Sequence, residues 1–196
     1  MSATIIQEGP SIVPAYARVP MTFEVRSRLR VEWVDSGLGG IRLVEEAVTP
    51  AFTKDYDEDP SEAPLSWPDR FDVSGWGFFV ARDGETIVGG AVGISDEPEI
   101  RILEGRKDLA CLWDVRVAPE WRGKGIGSAL LARVADWSHA RGCRYLKIET
   151  QNNNVAACRF YASRGCRLDG YSVHAYTEFP DEVMMLWYLD LAPGRD

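Results

Sequence analysis

Apolar and charged residues alternate between positions 22 and 34, where Phe23, Val25, Leu29, Val31 and Trp33 hold the odd positions. This period of two predicts a strand. Gly37, Gly39 and Gly40 punctuate it, and Ile41 to Val48 reads as a second strand. Residues 53–70 are acidic, polar and proline-rich, and read as a long loop with room for a helical turn. Loops of that length inside a compact domain are more often functional or disordered than plain connectors. Gly77 to Ala81 and Thr86 to Ile94 are apolar strands joined by Asp83-Gly84, a hairpin signal, with Gly89 and Gly90 allowing a bend. After a loop from Ser95 to Asp108, Ala110 to Val117 is the next strand, ended by Pro119. Ile126, Leu130, Val134 and Trp137 then form one helical stripe, predicting a helix over Ile126 to Arg141 that stops at Gly142. Tyr145 to Glu149 is a strand, and Asn152-Asn153-Asn154 offers an N-cap to a short helix, Val155 to Arg164, closed by Gly165. Tyr171 to Tyr176 and Val183 to Leu191 read as an antiparallel pair of strands around the Glu178–Asp181 turn. Residues 1–20 carry three prolines and read as a loose arm, leaving 21–196 as a single domain. Strands, then strand–helix–strand–helix, then strands describe an α+β protein with a mixed sheet.

The chain has 196 residues, 45% hydrophobic and 27% charged, the size and composition of one globular domain. No apolar run reaches the roughly 20 residues of a membrane span, and no basic-then-apolar leader opens the sequence. Four scattered cysteines without a C-x-x-C pair argue for a reducing cytoplasm and against a metal site. Cys158, on an apolar helix, reads as a small buried hydrophobe. A net charge of -8 argues against nucleic acid as the main partner. It also suits a cationic small molecule. A homodimer is an allowed assembly.

The chemistry concentrates in Val117 to Ser128, where a strand meets three glycines in five residues, flanked by Arg122 and Lys124, just before a helix. Unpaired amides at a helix start carry partial positive charge, and glycines let an anion approach them. The stretch is a phosphate cradle. The ATP-binding pattern G-x-x-x-x-G-K-[ST] is absent, because Gly125 follows Lys124. The dinucleotide pattern G-x-G-x-x-G fails at Ser128. Pro119, Glu120 and Trp121 also separate the strand from the first glycine, although Glu149 resembles the ribose-binding acid. The pattern R-x-x-G-x-G is filled by Arg122, Gly125 and Gly127.

That motif, followed by a long helix, a strand and Asn154-Val155-Ala156-Ala157-Cys158-Arg159-Phe160-Tyr161, resembles the GNAT acetyltransferase superfamily over about residues 76–191. The resemblance implies a mostly antiparallel sheet flanked by helices and splayed at an acetyl-CoA site. It implies that Arg122, Gly123, Lys124, Gly125, Ile126, Gly127 and Ser128 hold the pyrophosphate. It also implies that the backbone of Val115 and Val117, with Asn154 and Ala157, holds the pantetheine arm. Tyr161 would protonate the departing thiolate. On a helix, Asn154, Ala157 and Tyr161 share a face about 10 Å long. Proton removal from the attacking amine needs an acceptor, a carboxylate or a water chain, and Asp114 and Glu149 are the two candidate carboxylates. Asp114 has a structural alternative, as an ion-pair or hydrogen-bond partner. Many members of the family carry a glutamate one position before it, where this chain has Trp113.

The Glu149–Cys158 stretch and the acidic Lys54–Asp57 segment look like streptothricin-type antibiotic acetyltransferases. The resemblance therefore implies an N-acetyltransferase acting on the primary amine of a small, cationic acceptor. A protein N-terminus, a polyamine, or a non-catalytic acyl-CoA sensor on the same fold are the alternatives. His174, on a late strand, is a candidate for an acceptor pocket, and His139 faces solvent or the helix dipole.

Overall fold

The computed structural model describes residues 3–191. Its strands are β1 (Thr4–Glu8), β2 (Thr22–Trp33), β3 (Ile41–Asp55), β4 (Gly77–Asp83), β5 (Thr86–Ser95), β6 (Leu109–Val117), β7 (Tyr145–Gln151), β8 (Arg167–Ser172) and β9 (Met184–Asp190). Its helices are α1 (Val13–Tyr16), α2 (Trp67–Arg70), α3 (Ile126–Ala140) and α4 (Val155–Ser163). Seven strands form one sheet in the order β1-β4-β5-β6-β7-β9-β8, and β2 pairs with β3 separately. The pairs β1–β4, β4–β5 and β5–β6 are antiparallel, whereas β6–β7 is parallel. This is the mixed α+β sheet expected. Among the described residues no helix is long and apolar enough to cross a membrane.

The chain divides into two compact units. The first comprises residues up to Met21, Asp55–Ile148, and those from Tyr188 onward. Its core is built on β4, β5 and β6, with Phe78, Val80, Val92, Ile94, Leu109 and Cys111 all buried. Tyr16, Trp67 and Trp76 close over them. Trp113 sits among these rings, 5.6 Å from Trp76 and 5.9 Å from Phe71. The position at which the resemblance implied a glutamate is here part of an aromatic cluster.

Helix α3 packs on this sheet because β4 and β5 present glycines to it. A Cβ on Gly77 would lie 2.7 Å from Trp137, and one on Gly93 2.8 Å from Val134. The helical stripe read from the sequence is the buried face: Ile126, Leu130, Val134 and Trp137 are all buried. Gly90 turns to the other side of β5, where a Cβ would stand 2.4 Å from the Tyr16 ring.

The second unit comprises Thr22–Lys54 and Glu149–Trp187. It contains the β2–β3 ribbon and α4, which Asn154 caps by accepting from the Ala157 amide at 3.1 Å. The helix ends at Gly165, which has φ +84.

Three expectations need correction. The loose arm is in part a strand, since Thr4–Glu8 pairs with Arg82–Phe78 of β4 and Tyr16 is fully buried. Its partner lies far along the chain, beyond the reach of local pattern. The strand beginning at Ile41 does not end at Val48 but runs to Asp55, through Pro50, into the segment read as loop. A two-stranded ribbon has two free edges, and a proline is tolerated there. The strand read at Tyr171–Tyr176 is β8, shifted to Arg167–Ser172. Gly170 disguised it; a Cβ there would lie 3.2 Å from the Leu186 side chain of β9, a tight contact.

Candidate active site

In the first unit, β6 ends in a 3-10 turn at Pro119–Trp121, and the chain then swings through Gly123 and Gly125 into α3. Both glycines have positive φ, +75 and +84, and a Cβ on either would meet nothing within 4 Å. The space in front of the loop is open. The helix's own hydrogen bonding begins with the Ala129 amide donating to the Gly125 carbonyl at 3.1 Å. Ile126, Gly127 and Ser128 therefore present amides at a helix start that has no acidic residue in its first turn. Arg122 and Lys124 flank the loop and are exposed. The Arg122 Nε donates to the Val117 carbonyl at 2.9 Å, and the Lys124 Nζ stands 4.5 Å from the Trp121 ring centroid. These groups fit a diphosphate: amides for its oxygens and two cations for its charge.

Registered pairs between β6 and β7 run from Leu109↔Tyr145 to Leu112↔Ile148. β6 continues past them to Val117, where Val115 pairs with Ala91 and Val117 with Gly89 of β5. Val115 and Val117 lie on the half-exposed face of β6, and Asp114 and Arg116 on the buried one.

Asp114 is the centre of a buried network. Its Oδ1 accepts from the Tyr16 hydroxyl and from the Arg116 Nε at 2.9 Å, and its Oδ2 accepts from the Arg116 Nη2 at 2.6 Å. Arg116 also donates to the Val19 carbonyl at 3.0 Å and to both Asp57 oxygens at 2.8 and 3.1 Å. Burial, then the neighbouring Asp114 charge, pushes the Tyr16 hydroxyl well above its ordinary value. Burial alone would lower Arg116, but the Asp114 charge and hydrogen bonds outweigh it and hold the guanidinium above its usual value. The structural alternative for Asp114 is the arrangement found. A carboxylate gripped by a guanidinium and a phenol is an anchor between β6 and α1.

In the second unit, Tyr161 is buried on α4, 5.3 Å from the Phe160 ring and 6.4 Å from Trp187. Ala157 and Asn154 lie half-buried about one and two turns before it. Glu149 is exposed and accepts from the Tyr176 hydroxyl at 2.8 Å, while Tyr176 in turn accepts from the Gln151 amide at 2.9 Å. Of the two candidate acceptors, Glu149 is the one reachable from solvent. His174 lies in an exposed turn, not on a strand, and His139 is exposed on α3. Burial pushes the Cys158 thiol up to about 12 and Cys166 up to about 11, so both behave as apolar side chains.

Sequence reasoning missed Tyr16 and Arg116 as partners of Asp114, Asp57 as a further partner of Arg116, and Tyr176 as partner of Glu149. One of these was readable: Asp114 and Arg116, two apart on a strand, must share a face. The others come from distant segments and leave no local signal.

Residues 41–166 match the model of the acetyltransferase (GNAT) family. Streptothricin acetyltransferase A of Bacillus subtilis is 33% identical over 91 residues, covering 45% of this chain and 53% of that protein. Streptothricin acetyltransferase of Escherichia coli is 30% identical over 154 residues, covering 76% of each. The crystal structure of nourseothricin acetyltransferase superposes with a TM-score of 0.75 at 23% identity, over 97% of this chain and 99% of that one. A Bacillus anthracis protein solved in complex with acetyl coenzyme A gives 0.75 at 24% identity, over 96% and 99%.

Proposed function

This chain belongs to the acetyltransferase (GNAT) family and is an acetyl-CoA-dependent N-acetyltransferase, and we propose that its acceptor is the primary amine of a small, cationic molecule of the streptothricin kind. The resemblance to two streptothricin acetyltransferases supports this acceptor class, as does the net charge of -8.

Acetyl-CoA, when bound, supplies the thioester carbonyl that the amine attacks. The amides of Gly123 to Ser128, with Arg122 and Lys124, bind its pyrophosphate. The backbone of Val115 and Val117 aligns the pantetheine arm as an added strand would, with Asn154 and Ala157 on the α4 side. Tyr161 gives its proton to the sulfur as the thiolate leaves. Glu149, already a hydrogen-bond acceptor from Tyr176, takes the proton from the amine. The commitment of Asp114 to Arg116 and Tyr16 carries this choice between the two carboxylates.

The test is a mass-spectrometric search for acetylated products with streptothricin-class antibiotics, polyamines and N-terminal peptides. Acetylation of the antibiotic amine, and no other, is the expected result. Preference for a peptide N-terminus or a polyamine would overturn the acceptor. Tight CoA binding without turnover on any amine would favour a non-catalytic acyl-CoA sensor.

A further inference from the structure

Glu149 and Gln151 stand two apart on β7, so their side chains share one face of the strand. Along the strand they are about 6.6 Å apart. The Tyr176 hydroxyl bridges them. It donates to the Glu149 Oε1 at 2.8 Å and accepts from the Gln151 Nε2 at 2.9 Å. An amide N–H can only donate, so the one hydrogen of the phenol is left for the carboxylate.

Tyr176 is carried by the segment between β8 and β9, and Asn152 ties that segment to the end of β7. The Asn152 amide donates to the Val183 carbonyl at 3.0 Å, and its Oδ1 accepts from the Val183 amide at 2.9 Å. Its Nδ2 donates to the Asp181 carbonyl at 3.4 Å. Asn152 is buried, and Tyr176 is half-buried. The phenol therefore reaches β7 from an anchored segment. All of these residues belong to the second unit.

Glu149 is exposed. An exposed glutamate turns about three side-chain bonds, and ordering it costs rotamer freedom. A base must keep one oxygen within hydrogen-bond reach of the proton that it removes. Held at Oε1, the carboxylate leaves Oε2 without a hydrogen-bond partner among the described residues.

We infer that Tyr176 is a positioning residue for the acetyl transfer: its hydroxyl fixes the Glu149 carboxylate through Oε1, so that Oε2 takes the proton of the amine. Tyr176 keeps its own proton throughout. This rests on the reading of Glu149 as the base.

The experiment compares the wild type, Tyr176→Phe, Glu149→Gln and the double variant, with acetyl-CoA and streptothricin as substrates. Released coenzyme A gives kcat and both KM values, and urea titration gives the stability of each protein. Tyr176→Phe keeps the ring and removes only the hydroxyl. It should lower kcat by about ten- to hundredfold, the scale of a misplaced catalytic group, and leave both KM values and the urea midpoint in place. In the Glu149→Gln background the same substitution should cost nothing further, because the group that it positions is gone.

An unchanged kcat in Tyr176→Phe, beside a deficient Glu149→Gln, overturns the positioning role and keeps the base. A kcat loss that persists in full in the double variant overturns the role too, since Tyr176 would then act by itself. A raised acceptor KM with kcat intact, or a lowered urea midpoint that accounts for the loss, makes Tyr176 a structural latch and overturns the role. Wild-type kcat in Glu149→Gln overturns the base, and the role of Tyr176 with it. If streptothricin is not turned over, the series is run on the polyamine or peptide that the product search identifies, and no acetylated product at all overturns both.

Discussion

Arg116 holds Asp114 through two parallel contacts, Nε to Oδ1 at 2.9 Å and Nη2 to Oδ2 at 2.6 Å, with its side chain 1% exposed. Removing one member of such a pair strands a charge away from water. Arg116→Met should therefore cost about 3–5 kcal/mol, and Asp114→Asn a similar amount. The double substitution should recover part of the sum, since no buried charge is then left alone. Urea titration measures all three. Single-variant losses below about 1 kcal/mol would mean that the pair is solvated.

Gly90→Ala places a methyl where the Tyr16 ring stands, 2.4 Å from its nearest atom, with the Phe79 carbonyl at 2.9 Å. Neither neighbour can give way: one is backbone, and the other is tied to Asp114. A destabilisation of about 1–3 kcal/mol is expected from overpacking. A Gly84→Ala control, at an open turn position with φ +58, should show only its backbone cost. A Gly90 variant no less stable than the control would contradict the close packing of α1 on β5.

Arg122→Ala and Lys124→Ala should each raise KM for acetyl-CoA about tenfold or more, with kcat at saturation little changed. Charge-assisted hydrogen bonds to phosphate are worth about 1.5–3 kcal/mol each. Dephospho-CoA, which keeps the pyrophosphate, should be as sensitive as CoA in a competition assay. Loss of the effect with dephospho-CoA would move these cations to the other phosphate.

Tyr161→Phe should lower kcat by about 10²–10⁴, the usual scale of acid catalysis, and leave KM for acetyl-CoA in place. Glu149→Gln should do the same. Asp114→Asn, once corrected for its folded fraction, should keep most of kcat. The reverse ranking of the two carboxylates would return the base to β6.

Alkali should destabilise the fold through its buried thiols. Cys158 is raised from its ordinary 9.0 to about 12 by burial. A raised folded value means that the stabilisation is complete below pH 9 and is lost as pH climbs from 9 through 12. One pH step above 9 costs about 1.4 kcal/mol for this group. Cys158→Ala should flatten the fall in stability between pH 8 and pH 10, measured by denaturant titration. An unchanged slope would assign the alkaline loss to Cys166, whose thiol burial also raises, and to Tyr16, whose hydroxyl is raised as well.

Much of the fold was legible because its signals are local. The stripe from Ile126 to Trp137, the Asp83-Gly84 hairpin and the Asn154 cap each lie within one element. The phosphate loop was legible for the same reason, since glycines, cations and a helix start are contiguous. β1 was not, because its strand character comes from pairing with β4. The fate of Asp114 was not either. Its spacing to Arg116 was visible, but Tyr16 reaches it, and Asp57 reaches Arg116, from distant parts of the chain.

All four cysteines are buried, and none is in a disulfide. A coloured disulfide reagent reacts with thiolates that it can reach. Added to this enzyme at neutral pH, it should therefore register the coenzyme A released by each turnover over a nearly silent protein background. The same silence makes the reagent an alarm: colour appearing without acetyl-CoA would count molecules whose interior has opened.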